Sequence, residues 1–264
     1  MKVLKRGLDL ERFFASVRQA DWRVLLLDYD GTLAPFQAER DKAFPYDGVP
    51  QLLNRLIEAG DTRVILISGR QISDLLPLLG LKRLPQIWGS HGWERLKPDG
   101  AYEAAQPSRR ARQALTEAYA WAQAQGWQAW AERKPGSLAL HLRGLAPHDM
   151  SEIRRRARQG WSALAAKAGL TLAEFDGGLE LRAPGHDKGS AVRTVLAEIG
   201  PDAALAYLGD DLTDEDAFRA IKRHGLAVLV RRELRPTAAD LWLKPPDELL
   251  EFLSRWPAAA GGER

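Results

Sequence analysis

Short, unbroken apolar runs separated by helix-patterned stretches constrain this chain more than any other feature of it. Val24 to Leu27 ("VLLL") and Val64 to Ile67 ("VILI") are continuous rather than alternating, and "PQIWG" adds a third run. Such runs suit strands buried on both faces, as in parallel sheets. Between the first two lies "VPQLLNRLIEAG", with apolar residues at helical spacing and Gly60 as its stop. Between the second and third, "QISDLLPLLG" reads as a short helix interrupted or ended near Pro77. The strand, helix, strand, helix, strand order predicts a parallel α/β sheet. The same alternation returns late in the chain, with a helix after Lys188, a strand in "ALAYLGDD", a helix after "TDEDAF" and a strand in "LAVLV".

The middle of the chain breaks this pattern. Pro98-Asp99-Gly100 is a turn between two short segments, and a hairpin is expected there. Two helix-like stretches follow, "SRRARQALTEAYAWAQAQ" and "HDMSEIRRRARQGWSALAAKAG". They precede the strand-like "WQAWAERKPGSLALHLR" and "LTLAEFDGGLELRAP", the latter with a hairpin corner at Gly177-Gly178. The reading is therefore one α/β core, residues 1–96 and 183–264, interrupted by an inserted α+β domain at 97–182, with no internal repeat.

Composition narrows the function classes. The 264 residues leave room for a real core, and 38 Lys and Arg against 35 Asp and Glu leave a charge of only +3. The one basic run, Arg154 to Arg156 with Arg158, reads as a solvated helix face, so no nucleic-acid partner is expected. The absence of cysteine excludes disulfides, thiolate metal sites and a cysteine nucleophile. The start "MKVLKRGLDLERFF" is too charged for a signal peptide, and no apolar run approaches the ~20 residues of a membrane span. A cytoplasmic protein without a membrane partner is the expectation, with "AAAGGER" as a frayed tail.

Two carboxylates, Asp28 and Asp30, follow directly on the first strand. Residues i and i+2 of a strand point to the same side, so the two charges lie close together if the strand persists. Their repulsion at low dielectric makes a metal site or a catalytic pair a reasonable hypothesis, and an ordinary acidic turn at Gly31 the alternative. Ser68-Gly69-Arg70, Lys188 and "GDDLTDED" (Gly209 to Asp216) also follow predicted strands or begin a predicted helix at the same edge. Ligands bind at this edge in open α/β sheets. Carboxylates with a hard cation suit Mg²⁺ and a phosphate. An aspartate is an established phosphoryl nucleophile, and hydroxyl and ammonium groups can hold the remaining phosphoryl oxygens.

On these residues the chain resembles the haloacid-dehalogenase-like phosphatases. Asp28-Tyr29-Asp30-Gly31-Thr32 is similar to their first motif, Ser68 to the second, Lys188 to the third, and Gly209-Asp210-Asp211 with Asp214 to the fourth. The resemblance implies a Rossmann-like parallel-sheet core with an inserted cap. It makes Asp28 the nucleophile, Asp30 the acid-base, and Ser68 and Lys188 phosphate ligands. Mg²⁺ would be held by Asp28, the backbone carbonyl of Asp30 and Asp210, with Asp214 behind them or as a further ligand.

The wording around the motifs is narrower. "DYDGTL", "SGR", His91-Gly92, "ERKPGSLALHLR", "GLELR" and "LGDDLTDEDAF" resemble the trehalose-6-phosphate phosphatase family. That resemblance implies hydrolysis of trehalose 6-phosphate through an aspartyl-phosphate. It places His91, Gly92, Glu132, Lys134, Ser137, His141, Arg143 and Glu180 around the sugar. Independently, Ser137, Ala139, His141 and Arg143 alternate with three leucines, so one face of that strand is apolar and the other can face a ligand, the alternative being an ordinary half-exposed strand with its polar side outward. By itself His91 reads as a structural histidine, and Trp88, Trp93, Trp127 and Trp130 as core. Because related caps accept other sugars, the alternative is a phosphatase of another sugar phosphate or glycosyl phosphate with the same chemistry.

Overall fold

Alternation inside each buried run decides how the sheet is covered. The structure is a computed structural model that describes residues 1–37, 39–175, 177–199 and 203–260, the last four as backbone only. The chain divides into two compact units, one formed by Met1–Tyr102 and the chain from Asp187 onward, the other by Glu103–His186.

The first unit opens with β1 (Lys2–Val3), α1 (Leu10–Gln19), β2 (Arg23–Leu27), α2 (Val49–Ala59), β3 (Arg63–Ile67), α3 (Ile72–Leu75), β4 (Gln86–Gly89) and β5 (Glu94–Leu96), and its first segment ends at the start of β6 (Tyr102–Ala104). In the second unit are α4 (Arg109–Ala124), β7 (Ala131–Lys134), β8 (Ser137–His141), α5 (Pro147–Ala168), β9 (Thr171–Phe175) and β10 (Gly178–Arg182). The first resumes with α6 (Lys188–Glu198), β11 (Ala204–Gly209), α7 (Glu215–Ile221), β12 (Leu226–Val230), β13 (Leu241–Leu243) and α8 (Asp247–Ala260).

The large sheet runs β1-β13-β12-β11-β2-β3-β4-β5-β6. From β13 to β4 every pairing is parallel, with Leu25 of β2 level with Ala206 of β11 and Val64 of β3. Leu25 and Leu27 face Phe14, Leu53 and Phe252 on one side, while Val24 and Leu26 share the other with Val192 and Phe218. Helices on both faces explain why β2 reads as an unbroken apolar run: each of its four leucine and valine side chains is fully buried. Strand order reverses at β2, which puts the carboxyl ends of β2, β3 and β11 side by side at a topological switch point.

In the second unit an antiparallel sheet, β7-β8-β10-β9, is backed by two helices. Its apolar face carries Leu138, Leu140, Leu179 and Leu181. The stripe Ala111, Ala114, Ala118, Ala122 lets α4 approach α5 closely, and Trp161 Nε1 donates to the Ala118 carbonyl at 3.2 Å. Gly160 makes the same approach possible beside Trp121, whose ring a Cβ would meet at 2.3 Å.

The elements depart from the sequence reading in four places. "WQAWAERKPGSLALHLR" is a hairpin, because Pro135-Gly136 turns the chain with Gly136 at φ +76°. A 3₁₀ turn at Leu212–Asp214 precedes α7, which therefore begins within "TDEDAF" rather than after it. Of the tail, Ala258–Ala260 continue α8, and residues 261–264 lie outside the described residues. Trp88, Trp93 and Trp127 are buried, whereas Trp130 is half-buried. Among the described residues no helix is long and apolar enough to cross a membrane. The basic run lies on α5, where Arg155 pairs with Glu152 and Arg158 with Glu174.

Candidate functional site

The strand-end residues of the first unit converge. Asp28 leaves the end of β2 with its N–H bonded to the Leu208 carbonyl of β11, and the residue is 2% exposed. Lys188 stands at the first position of α6, where Asp187 and Ser190 form a capping box that fixes where the helix starts. Its Nζ donates to Asp28 Oδ1 at 2.6 Å and to Asp214 Oδ1 at 2.7 Å. Thr32 Oγ1 donates to the other Asp28 oxygen at 3.0 Å.

Asp214 orders the loop after β11. Its Oδ2 accepts from the backbone N–H groups of Asp210 and Asp211 at 3.1 and 3.0 Å, and its Oδ1 also accepts from the Tyr207 hydroxyl at 2.5 Å. Asp28, Asp210 and Asp214 bring carboxylate oxygens within 4.8 Å of one another, all buried. Gly31, at φ +83°, leaves the space beside them: a Cβ there would lie 2.2 Å from Asp210 Oδ2. No other residue type fits both that backbone and that gap.

Electrostatics marks this cluster as short of positive charge. Burial lifts the Asp28 carboxyl from its ordinary 3.8 to about 7; Lys188 draws it partly back and Asp214 pushes it further up. Burial, then Asp28 and Asp214, raise Asp210 well above the carboxylate range. For Lys188 burial acts downward, but Asp214 and Asp28 outweigh it and hold the ammonium protonated. One lysine thus faces three buried carboxylates, and Asp210 Oδ2 is buried with no hydrogen-bond partner among the described residues. An all-oxygen donor set with one unanswered buried oxygen fits a hard divalent cation such as Mg²⁺.

Asp30 occupies a different situation. Both of its oxygens are taken by Arg70, which donates through Nε and Nη2 at 2.7 Å each and to the Arg40 carbonyl at 2.8 Å. Ser68 is fully buried, and its Oγ accepts from the Arg70 N–H at 3.1 Å. Next to this loop, Ser90 and His91 hold φ of +50° and +57°. Two successive non-glycine residues in the left-handed region cost on the order of 1–3 kcal/mol each. They are held there by hydrogen bonds from Ser90 N–H to the Arg70 carbonyl and from His91 N–H to the Ser68 carbonyl, and by Ser90 Oγ on buried Glu94. The His91 ring lies against Gly69, where a Cβ would meet it at 2.6 Å, and Gly92 closes the turn at φ +97°.

The second unit gathers its own polar network on the sheet face opposite the leucines. Glu180 Oε1 accepts from Ser137 Oγ at 2.8 Å and pairs with Lys134 Nζ at 3.0 Å, while Oε2 accepts from Arg182 Nε at 2.6 Å. Glu132 bonds His141 Nε2 at 2.6 Å and lies 3.6 Å from Lys134 Nζ. Register accounts for this: Ala139 of β8 faces Glu132 on one neighbour and Glu180 on the other. Arg143 lies beyond the end of β8, against Gly177, rather than on the strand face where alternation put it.

Sequence reasoning left several participants without a role. Thr32 and Arg70 stand inside quoted motifs, so their proximity was available as a signal. Tyr207 lay hidden in an apolar strand, Arg182 at a strand end, and Arg235 in a loop whose only signal was its charge.

Comparison with known proteins gives the family and the fold type. The Trehalose-phosphatase family model matches residues 26–244. A trehalose-phosphate phosphatase of Mycobacterium marinum is 34% identical over 245 residues, 88% of this chain and 60% of that protein; the chain thus spans about three fifths of that relative. The C-terminal domain of Candida albicans trehalose-6-phosphate phosphatase superposes with a TM-score of 0.81 at 20% identity, covering 98% of this chain and 99% of that domain. A haloacid dehalogenase-like hydrolase from B. subtilis superposes at 0.61 with 14% identity, covering 88% and 98%, respectively, so the α/β core is of the haloacid-dehalogenase type. With more than half of its length matched by the family model, the chain belongs to the trehalose-phosphatase family.

Proposed function

We propose that the protein is a Mg²⁺-dependent phosphatase that hydrolyses trehalose 6-phosphate to trehalose and phosphate through an aspartyl-phosphate. The observation that carries this reading is the buried Asp28–Lys188–Asp214 cluster, in which both oxygens of Asp28 are already oriented, by Lys188 and by Thr32. Asp28, Asp210 and the Asp30 carbonyl would hold Mg²⁺, which when bound offsets carboxylate and phosphoryl charge. Asp214, with both oxygens taken, serves to order Lys188 and the loop.

An Asp28 oxygen attacks phosphorus and the bond from phosphorus to the sugar oxygen breaks, while Asp30 gives its proton to the departing oxygen. Water then attacks the aspartyl-phosphate, Asp30 accepts a proton from it, and inorganic phosphate leaves Asp28. Ser68 and Lys188 hold the phosphoryl oxygens. Since Arg70 occupies both Asp30 oxygens, proton transfer requires that pair to open. His91 and Gly92, and on the second unit Glu132, Lys134, Ser137, His141, Arg143 and Glu180, are the sugar-binding groups of this proposal; charged and hydroxyl groups suit a ligand rich in hydroxyls.

The test is phosphate release from a panel of sugar phosphates and glycosyl phosphates with Mg²⁺ or with EDTA. Trehalose 6-phosphate is expected to lead the panel and EDTA to abolish release. Equal turnover across the panel removes the substrate assignment. Asp28→Asn is expected to lose at least 10³-fold in kcat while keeping its fold; retained turnover refutes the nucleophile.

A further inference from the structure

Arg235 lies in the loop between β12 and β13 and belongs to none of the motifs above. Its side chain is 15% exposed and every one of its N–H groups has an acceptor. Nε and Nη2 donate to the Asp210 carbonyl at 3.3 and 3.2 Å, and Nη2 also donates to the Asp211 carbonyl at 2.8 Å. Nη1 donates to Glu215 Oε1 at 2.5 Å and to the Pro236 carbonyl at 2.9 Å. Glu215 is in turn fixed by the Thr237 hydroxyl and the Ala238 N–H, each at 2.8 Å.

Asp210 and Asp211 are therefore gripped from two sides. The Asp214 carboxylate takes their N–H groups, and the Arg235 guanidinium takes their carbonyls. Between these grips the Asp210 side chain has no hydrogen-bond partner for Oδ2 among the described residues, and the absence of a Cβ at Gly31 leaves that oxygen its space. No hydrogen bond to Oδ2 aims the side chain, whereas its backbone is fixed on both sides.

We propose that Arg235 is a positioning residue for the cation site, acting through the carbonyls of Asp210 and Asp211 to hold the Asp210 carboxylate where a divalent cation binds. Glu215 neutralises the guanidinium, so its charge does not oppose the cation. A lysine has three donors and no planar fork, so it cannot replace the grip on two carbonyls while keeping Glu215. The inference rests on the cation site proposed above and concerns binding of the metal rather than turnover.

The experiment titrates Mn²⁺ into the whole protein without substrate, following free Mn²⁺ by electron paramagnetic resonance, for the wild type, Arg235→Met and Arg235→Lys, and for Arg235→Ala with and without millimolar guanidinium ion. Loss of a group that orients a ligand is expected to weaken Mn²⁺ by about 10-fold or more in both variants. Both are expected to melt cooperatively, and guanidinium ion to restore part of the affinity to Arg235→Ala. Affinity within twofold of the wild type in a cooperatively melting variant overturns the proposal, as does a lowered melting temperature with unchanged Mn²⁺ binding. A wild type that binds Mn²⁺ but releases no phosphate from the sugar panel refutes the function proposed above and leaves this inference standing. A wild type that binds no Mn²⁺ refutes both.

Discussion

At the scale of single residues, the acidic centre trades stability for binding capacity. Burial is the main reason that the Asp28 carboxyl rises from 3.8 to about 7. Between about pH 4 and 7 the folded chain keeps a proton there that the unfolded chain has released, so this group's stabilising contribution is complete below pH 4 and lost as pH rises toward 7. Asp210 is displaced in the same direction and adds to the slope. Without metal, the melting temperature is expected to fall between pH 5 and 7.5. Mg²⁺, binding only the folded state, is expected to restore it most at the upper end, and Asp28→Asn to flatten the metal-free profile. Calorimetry in EDTA and in Mg²⁺ checks this; a flat wild-type profile contradicts it. The residues that built this centre were legible where a motif held them, as with Asp28, Lys188, Asp210 and Asp214. Tyr207 and Arg235 were not legible, because their importance lies in which loop the fold brings to them.

At the scale of elements, the runs that could be read were those covered on both faces. β2, β3, β11 and β12 announce themselves because helices on each side cover a continuous apolar run in each, broken only by Arg23 and Arg63 at the first positions of β2 and β3 and by the Tyr207 hydroxyl in β11. β13 has only three residues and β1 two, too few to show a period. The β7–β8 hairpin was obscured because its turn is just Pro135-Gly136, inside a stretch that otherwise reads as one strand. Helix α5 depends on Gly160, since the Trp121 ring fills the space of its missing Cβ. Gly160→Ala is expected to cost about 1–3 kcal/mol through overpacking. The loss is expected to be confined to the second unit: hydrogen exchange should rise in α4 and α5 and remain unchanged in β2, β3 and β11. Uniform loss of protection in both units contradicts that confinement.

At the scale of the molecule, the two polar networks belong to separate compact units, and the acidic cluster is entirely in the first. Removing a charge from the sugar-binding proposal should therefore leave the metal untouched. Glu180→Gln is expected to raise KM for trehalose 6-phosphate about 10-fold, the worth of one charge-assisted hydrogen bond. Mn²⁺ affinity and hydrolysis of p-nitrophenyl phosphate are expected to stay within twofold. Steady-state kinetics on both substrates, with the Mn²⁺ titration, checks this; equal losses on both substrates would show that Glu180 supports the fold rather than the sugar. The pairing of β2 with β11, Arg23 level with Ala204, has a consequence for biosynthesis. Translation must pass through the whole of Glu103–His186 before β11 exists, a delay of about 4–17 s at 5–20 residues per second. Throughout that interval the nascent chain carries β2 with one edge bare, the condition in which strands pair with neighbouring molecules.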